Sequence, residues 1–282
     1  MSIAVVTDST AYLPADLAER HHITVVPLTV TLSGRSGREG SEITPADVAR
    51  ALATRGEHVT TSRPSAELFA STYRELLDGG AAGVVSVHLA AGLSGTVDAA
   101  TVAAAAFGDR VTVVDAGSAA MGVGFPAVAA ASAAASGQDQ TCVRDAALAA
   151  AARTSTLFYV DTLEHLRRGG RMGAASALLG TALAVKPILD IAGGTVRVRE
   201  KVRTAGRALA RLVDLAVEAS GDGQVDVVVH HLVAADRAEG VARAVRERLG
   251  HRLRSLLVGE VGAVVGAHAG PGLVGIVVHR AE

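Results

Sequence analysis

Short polar groups occur where predicted strands of this sequence end or predicted helices begin. These groups share small hydroxyl side chains and are Asp8-Ser9-Thr10, Thr60-Thr61-Ser62, Ser94-Gly95-Thr96, and Asp115 with Ser118. Because the carboxyl ends of parallel strands meet at one edge of a sheet, where ligands bind, we expect these loops to converge. Hydroxyls and the free N–H groups of helix starts suit an anion, so the pattern predicts an anion site at that edge.

Ordinary structural roles compete with this interpretation. Ser and Thr at helix starts most often cap the helix, which is a sufficient reason for Ser9, Thr61 or Ser94 taken singly. His268, in Gly-Ala-His-Ala-Gly-Pro-Gly, is also compatible with a satisfied interior histidine. The flanking glycines either let backbone approach a ligand closely or form a turn. Anion binding and structural roles both stay open on these residues alone.

Basic residues gather in two places in the second half of the chain. They are Arg167, Arg168 and Arg171 around Gly169-Gly170, and Lys201 with Arg203. Such groups are usually solvated surface. Their position beside glycines also suits a phosphate or an acidic partner, for which arginine offers bidentate geometry.

The predicted secondary structure that carries these residues differs between the two halves of the chain. In the first half, β-branched runs alternate with Ala-rich helical stretches, which predicts parallel βαβ units and a doubly wound sheet. The predicted strands there are Ile3 to Val6, Ile23 to Val30, Gly83 to Leu89 and Val111 to Asp115. Thr44-Pro45 predicts a capped helix start, and Pro64 to Leu77 has apolar residues at helical spacing. Leu32 to Glu42 is Gly-rich and aperiodic, so it is predicted to be a surface loop.

After about residue 155 the pattern becomes α+β. Lys186 to Ile191 and Thr195 to Val198 flank the Ala-Gly-Gly linker of a predicted hairpin. The other predicted elements are strands at Leu157 to Val160, Val225 to His230, and near Leu253 and Leu273, with helices at Thr204 to Glu218 and Asp236 to Leu249. We therefore predict two α/β domains, a parallel-sheet domain over residues 1–155 and a mixed-sheet domain over residues 156–282.

Composition excludes several classes of protein. With 27 Lys and Arg against 28 Asp and Glu, the chain lacks the basic balance of a general nucleic-acid binder. The 2% of aromatic residues provide few stacking platforms for bases. A single cysteine, Cys142, forms no intramolecular disulfide and no Cys-based metal site, which favours a reducing cytoplasm. The uncharged stretch Ala116 to Gln138 is Ala- and Gly-rich with Pro126 inside, so it predicts a buried helix rather than a membrane span.

The sequence also allows two enzymatic interpretations. Gly92-Leu-Ser94-Gly95 does not have the spacing of a hydrolase nucleophile elbow, although a serine acyl hydrolase using Ser94 with His268 as base stays an alternative. No orienting acid or oxyanion hole accompanies that pair in the sequence. A nucleotide-binding enzyme, suggested by the fold pattern alone, is the weakest interpretation, because Asp8-Ser9-Thr10 follows the first strand and the Gly-x-Gly-x-x-Gly fingerprint is not present there.

Eight short motifs in a fixed order identify a family. They are Thr7-Asp-Ser-Thr with Leu13-Pro14, Val26-Pro-Leu28, Thr60-Thr-Ser-Arg-Pro-Ser65, Leu93-Ser-Gly-Thr96, Phe158-Tyr-Val-Asp-Thr-Leu163, Arg168-Gly-Gly-Arg171, Lys186-Pro-Ile-Leu189 and Gly266-Ala-His-Ala-Gly-Pro-Gly272. Together they closely resemble the bacterial DegV family, whose members bind fatty acids and include the fatty-acid-binding subunits of fatty acid kinase. The resemblance covers nearly the whole chain.

The resemblance implies a carrier rather than an enzyme, with one long-chain fatty acid in a tunnel between the two domains and no cofactor. A separate kinase related to dihydroxyacetone kinases phosphorylates the carboxylate of the held fatty acid in that family. The matching positions imply that Thr61, Ser62, Ser94 and His268 bind the carboxylate. Gly95, Thr96 and Arg171 are implied at the tunnel mouth, and Lys201 with Arg203 at the kinase-docking surface.

Two segments depart from the family pattern. Val97 and Asp98 follow Leu-Ser-Gly-Thr where many members have an aromatic residue and Gln, and the loop Gly34 to Ser41 lacks an aromatic residue often found there. The second departure affects the expected lid of the tunnel mouth. Neither alters the hydroxyl and imidazole residues, so the binding prediction is unaffected.

Overall fold

The computed structural model describes residues 2–173 and 186–281 of the chain. The protein consists of two compact units. The first unit comprises Met1–Thr29 and Ser62–Ala152, and the second comprises Val30–Thr61 and Arg153–Glu282. Residues 30–61 thus group with the second unit. The domain assignment of 1–155 and 156–282 stays a sequence-based prediction.

A parallel sheet of four strands forms the centre of the first unit. Its strands are β1 (Ile3–Asp8), β2 (Ile23–Val26), β6 (Gly83–His88) and β7 (Val111–Asp115), in the spatial order β2-β1-β6-β7. Every pairing between neighbours is parallel. All six residues of β6 are buried, as expected for an inner strand that is covered on both faces. The predicted parallel sheet is confirmed.

Helices cover both faces of this sheet. The helices of the first unit are α1 (Ala15–Arg20), α3 (Ala66–Asp78), α4 (Thr96–Ala104), α5 (Met121–Ala135) and α6 (Gln140–Ala152). One apolar core joins α5 and α6 to Val5, Val85 and Val87. A second core joins α3 and α4 to Val6 and Val84, whose side chains alternate onto the opposite face. This two-sided packing is the predicted doubly wound arrangement.

A mixed sheet of six strands forms most of the second unit. Its strands are β8 (Thr154–Tyr159), β9 (Lys186–Ala192), β10 (Thr195–Val202), β11 (Val225–His231), β12 (Leu253–Glu260) and β13 (Val274–Arg280), in the order β10-β9-β8-β13-β11-β12. Only the β11–β12 pairing is parallel among these described strands. Helices α8 (Ala205–Ser220) and α9 (Ala235–Leu249) pack on one face of the sheet. The predicted mixed-sheet α/β architecture is confirmed.

A small sheet and shorter helices also belong to the part of the second unit that the structure describes. The strands are β3 (Thr29–Leu32), β4 (Arg35–Arg38) and β5 (Val59–Ser62), in the order β4-β3-β5. The helices are α2 (Pro45–Ala53), α7 (Glu164–Arg168) and α10 (Ala263–Ala269). Helix α2 begins as predicted, because Thr44 and Asp47 form a reciprocal capping box ahead of Pro45.

The sequence prediction was wrong at two places in the segment 23–42. The predicted strand Ile23 to Val30 is two strands, since Pro27 donates no ladder hydrogen bond and Leu28 donates its N–H to Ser9 Oγ at 3.0 Å. The predicted loop Leu32 to Glu42 contains β4. Ser33 and Gly34 have φ values of 46° and 93°, which is the backbone of a tight hairpin turn.

The uncharged stretch that the sequence assigns to a buried helix contains α5. Nine of the residues of α5 are buried, spread around the helix rather than along one stripe, and Pro126 lies inside it. Within residues 2–173 and 186–281, no helix has both the length and the apolar character needed to cross a membrane.

Candidate functional site

Thr61 and His268 form the centre of a polar cluster in the second unit. Thr61 lies in β5 and His268 in α10, and Thr61 Oγ1 lies 2.7 Å from His268 Nε2. The two residues are 207 positions apart in the chain. The fold therefore brings together two of the residues that the sequence predicts for anion binding.

The His268 ring is enclosed on its other side by Gly169, the residue that ends α7. A Cβ atom on Gly169 would lie 2.2 Å from His268 Nδ1, a distance that side chains do not tolerate. His268 Nδ1 is buried and has no hydrogen-bond partner among the residues that the structure describes. Glycine is therefore needed at position 169 for space, and Gly169 packs directly against this buried ring nitrogen.

Arg171 adds a positive charge to this cluster. Its guanidinium donates a hydrogen bond to the carbonyl of Gly169. Burial of the imidazole, and secondarily the charge of Arg171, lowers the pKa of His268 to about 4. At neutral pH the imidazole is uncharged. A hydroxyl, a neutral imidazole and a guanidinium can together donate several hydrogen bonds to a carboxylate. We name Thr61, His268, Gly169 and Arg171 the imidazole cluster.

The other predicted head-group residues lie in the first unit. Ser94 Oγ is 2.9 Å from Thr96 Oγ1, at the start of α4. Arg63, next to Ser62, donates from Nη1 to the carbonyl of Gly95 at 3.3 Å. A Cβ on Gly95 would lie 2.2 Å from that Nη1. Arg63 thus joins the segment of Ser62 to the segment of Ser94, a role that the motif Thr60-Thr-Ser-Arg-Pro-Ser65 did not reveal.

The capping interpretation of the three hydroxyl residues is wrong. The residue that caps α3 is Ser65, whose Oγ accepts from Leu68 N, and the short turn after β1 is capped by Asp8. Helix α4 follows Gly95 without a side-chain cap. The hydroxyl groups are engaged elsewhere, as the contacts of Ser9, Thr61 and Ser94 above show.

A fully buried polar chain in the first unit was missed by the sequence reasoning. Tyr73 donates from its hydroxyl to Ser86 Oγ at 2.9 Å, and Ser86 Oγ lies 2.7 Å from His88 Nε2. His88 Nδ1 lies 2.9 Å from Asp8 Oδ2. Burial raises the pKa of Tyr73 to about 12, so its hydroxyl stays protonated as the donor at the end of this chain. The sequence feature that could have revealed it is the spacing of Ser86 and His88, which lie two residues apart in an otherwise apolar strand. This spacing places both side chains on one face of the sheet.

Asp8 connects two loops at the carboxyl ends of β1 and β6. Its carboxylate accepts from Thr10 N at 3.0 Å, from Thr10 Oγ1 at 2.5 Å and from Leu89 N at 3.1 Å. Asp115 has a similar role at the end of β7, where it accepts from Ala91 N at 3.1 Å and from Gly117 N at 2.7 Å. These two carboxylates organise the loops.

Lys201 and Arg203 lie where the sequence places them, at the end of β10 and just before α8. Both side chains are exposed. Lys201 is opposite Pro187 of β9, and Thr204 caps α8 by accepting from Arg207 N. The pair is therefore held on the surface by a strand on one side and a capped helix on the other.

The described residues form neither a histidine–acid pair at His268 nor a group of metal ligands. His268 Nε2 contacts Thr61, and no acid contacts His268 Nδ1 in the described part of the chain. Ser86 has a histidine partner but no exposed surface on which to meet a substrate. No group of three His, Cys, Asp or Glu residues within 2–173 and 186–281 is arranged to hold a metal ion.

Comparison with known proteins places this chain in a family. Residues 2–281 match the family described as "Uncharacterised protein, DegV family". This chain belongs to the DegV family. A DegV domain-containing protein of Streptomyces coelicolor is 55% identical over 276 residues, which cover 98% of each chain. A DegV domain-containing protein of Mycobacterium tuberculosis is 41% identical over 278 residues, which cover 99% of this chain and 97% of that one.

Solved DegV structures share the fold along the entire chain. A fatty-acid-binding DegV family protein from Thermus thermophilus superposes with a TM-score of 0.94 at 36% identity, covering 100% of both chains. DegV from Bacillus subtilis, described as a fatty acid binding protein, superposes with a TM-score of 0.90 at 30% identity and the same coverage. The DegV identification made from the eight motifs is confirmed.

Proposed function

We propose that this protein is a carrier that binds one long-chain fatty acid and presents its carboxylate to a partner kinase. The observation that supports binding most strongly is the likeness over the whole chain to the fatty-acid-binding DegV protein of Thermus thermophilus. The imidazole cluster supports it independently, since its donors match a carboxylate. A cytoplasmic location is part of the proposal and rests on the single cysteine of the sequence.

In this proposal the neutral side chains of Thr61 and His268 and the charged guanidinium of Arg171 hold the carboxylate. Thr61 and His268 are within hydrogen-bond distance of each other, so one of their two N–H and O–H protons lies between them, and in this proposal the other is donated to a carboxylate oxygen. A carboxylate taken from water must be compensated by hydrogen bonds. Arg171 contributes charge without being the only partner. Ser62 and Ser94 remain predicted contributors from the first unit.

The acyl chain supplies most of the proposed affinity. Burying roughly 15 methylenes at about 0.8 kcal/mol each yields about 12 kcal/mol before the costs of ordering. That figure exceeds what a few head-group hydrogen bonds contribute at about 1 kcal/mol net each. The head group therefore orients the ligand, while the tail drives binding.

We expect protein expressed in bacteria to carry about one long-chain fatty acid per chain, because a buried tail of this size dissociates slowly. Native mass spectrometry, followed by solvent extraction and analysis of the released lipid, measures this directly. Delipidated protein should bind oleate in calorimetry and should not hydrolyse a chromogenic acyl ester. A delipidated protein without affinity for oleate, palmitate or stearate would contradict the proposed function.

The kinase part of the proposal predicts a separation of binding from phosphorylation at Arg203. Arg203→Glu reverses an exposed charge on the surface proposed for docking, which slows encounter and places like charges together. We expect oleate affinity to stay within about twofold, roughly 0.4 kcal/mol. Acyl-phosphate formation by a fatty acid kinase of the dihydroxyacetone-kinase type should fall by most of its initial rate.

The matched control for Arg203→Glu is Arg243→Glu, which makes the same charge reversal at an exposed position in the middle of α9. It should leave both binding and phosphorylation nearly unchanged, as most exposed substitutions do. Full phosphorylation of the Arg203 variant at limiting kinase concentration would show that docking occurs elsewhere.

A further inference from the structure

A carboxylate from the turn after β4 reaches the first turn of the helix that carries His268. Glu39 is buried, with 6% of its surface exposed, and its Oε1 accepts a hydrogen bond from Val264 N at 2.7 Å. The two residues are 225 positions apart. Gly262 precedes α10 and provides no side-chain cap. The side chain of Glu39 thus performs at a distance the role that a local capping residue ordinarily has.

The turn between β4 and α2 holds Glu39 in this position. Glu42 N and Ile43 N both donate to the carbonyl of Arg38, at 3.1 and 3.2 Å, and Gly40 N donates to the carbonyl of Ile43 at 3.0 Å. Gly40 has a φ of 85°, which favours glycine. Ile43 is fully buried and anchors the turn. Glu39 is therefore directed inward by backbone geometry, within the segment that the sequence predicts to be an exposed loop.

Helix α10 needs an external partner at its start. It has seven residues, and the first four N–H groups of any helix lack partners within the helix. Helices this short are not stable alone in water, so their position is set by tertiary contacts. A carboxylate at the N-terminus both accepts a hydrogen bond and complements the helix dipole. Glu39 meets these requirements for α10.

His268 lies one helical turn beyond the capped residue. Residues four apart lie on the same side of a helix, about 6 Å apart along its axis, so displacement of Val264 is passed directly to His268. The imidazole has little freedom to compensate. Its Nε2 lies 2.7 Å from Thr61 Oγ1, and Gly169 packs against its other nitrogen. A small shift of α10 would therefore disturb both contacts.

We propose that Glu39 is a positioning residue for His268, whose capping of α10 keeps the imidazole against Thr61 and Gly169 for carboxylate binding. The expected effect of Glu39 on oleate binding rests on the proposed function. The expected effect of Glu39 on the position of His268 does not depend on it. Glu39 contributes to affinity through α10 rather than by contact with the fatty acid.

Three variants test this role. Glu39→Ala removes the acceptor, Glu39→Asp withdraws it by one methylene, and Glu39→Gln keeps an amide oxygen in the same place. Glu57→Ala is the control, because it removes the same charge from an exposed position. For each variant, the ring nitrogen resonances of His268 are measured by NMR in delipidated protein. The Kd for oleate is measured by calorimetry and the fold by thermal unfolding.

We expect Glu39→Ala and Glu39→Asp to change the His268 resonances and to raise the Kd for oleate about tenfold, or about 1.4 kcal/mol. Glu39→Gln should restore most of both, and Glu57→Ala should match the wild type. A folded Glu39→Ala protein with wild-type resonances and affinity would overturn the proposal. If that variant does not fold, Glu39→Asp decides in the same way. Wild-type protein that fails to bind oleate would count against the fatty-acid function alone, because the resonances report on Glu39 without ligand.

Discussion

Replacing Gly169 by alanine is expected to weaken oleate binding about 10- to 100-fold, which corresponds to about 1.4 to 2.7 kcal/mol. We expect His268→Ala, which removes the imidazole, to weaken binding by a similar amount. Gly169 has φ and ψ of −73° and −9°, which alanine adopts without strain. The added Cβ would instead lie 2.2 Å from His268 Nδ1 and force the ring or α7 to move. His268→Ala removes one proposed donor to a desolvated carboxylate, a loss of about 1 to 3 kcal/mol. One methyl group therefore tests the site from the side opposite Thr61.

The control for Gly169→Ala is Gly206→Ala in α8. An added Cβ there meets no atom within 4 Å, and alanine favours a helix over glycine, by less in this first turn than the roughly 0.5 to 1 kcal/mol of a helix interior. That variant should bind oleate normally and unfold at a slightly higher temperature. Calorimetry of the three variants, with far-UV circular dichroism to verify folding, makes the comparison. Normal binding by a folded Gly169→Ala protein would mean that His268 does not contact the carboxylate.

The parts of this fold that the sequence predicted well are long and strongly periodic. The strand Gly83 to His88 is rich in valine, and α8 and α9 have apolar residues at helical spacing, so the residue pattern predicts the type of each element. Helix α2 was predicted at its first residue because Thr44-Pro45 is a local capping signal. These features depend on neighbours in sequence, which is why they can be read without the structure.

The parts that were missed depend on partners far away in sequence. Strand β4 contains two arginines, a serine and a glycine, so no alternation marks it, and only pairing in the sheet makes it a strand. Helix α10 is short and rich in Ala, Val and Gly. Its cap, Glu39, comes from 225 positions away. No local pattern predicts such a contact.

The candidate site divides in the same way. The family motifs pointed to Thr61 and His268, and the structure brings them within 2.7 Å. The motifs did not indicate why Gly169 must be glycine, because that requirement arises from the approach of α7 to α10. Arg63 and Glu39 were missed for the same reason. Each acts on a backbone group whose position is set by tertiary packing.

Asp8→Ala is expected to destabilise the protein by about 3 to 5 kcal/mol, the largest effect on stability that we predict for one substitution. The carboxylate of Asp8 has no exposed surface and accepts from His88, Thr10 and Leu89. Removing it leaves these buried donors without an acceptor, each at a cost of about 1 to 3 kcal/mol when nothing replaces it. Truncation also opens a cavity between the ends of β1 and β6.

Asp8→Asn separates the lost charge from the lost volume. The amide has nearly the same shape, but only its oxygen accepts a hydrogen bond. Its NH2 group therefore faces a buried donor that a carboxylate oxygen of Asp8 accepts from. We expect a smaller loss, of about 1 to 3 kcal/mol. Tyr73→Phe, at the far end of the chain through Ser86, should cost about 1 kcal/mol because it removes one neutral hydrogen bond. The expected order of destabilisation is therefore Asp8→Ala, then Asp8→Asn, then Tyr73→Phe.

Urea unfolding of each variant is followed by circular dichroism, because the chain contains no tryptophan whose fluorescence could report unfolding. Asp16→Ala is the control, because Asp16 is exposed and pairs with Arg20 on the surface of α1 at 2.9 Å, a contact of at most about 1 kcal/mol. If Asp8→Ala unfolds at the same urea concentration as Asp16→Ala, the buried carboxylate does not stabilise the loops after β1 and β6. A loss confined to the Asp8 variants, graded in the expected order, assigns that role to the chain of hydrogen bonds from Tyr73 to Asp8.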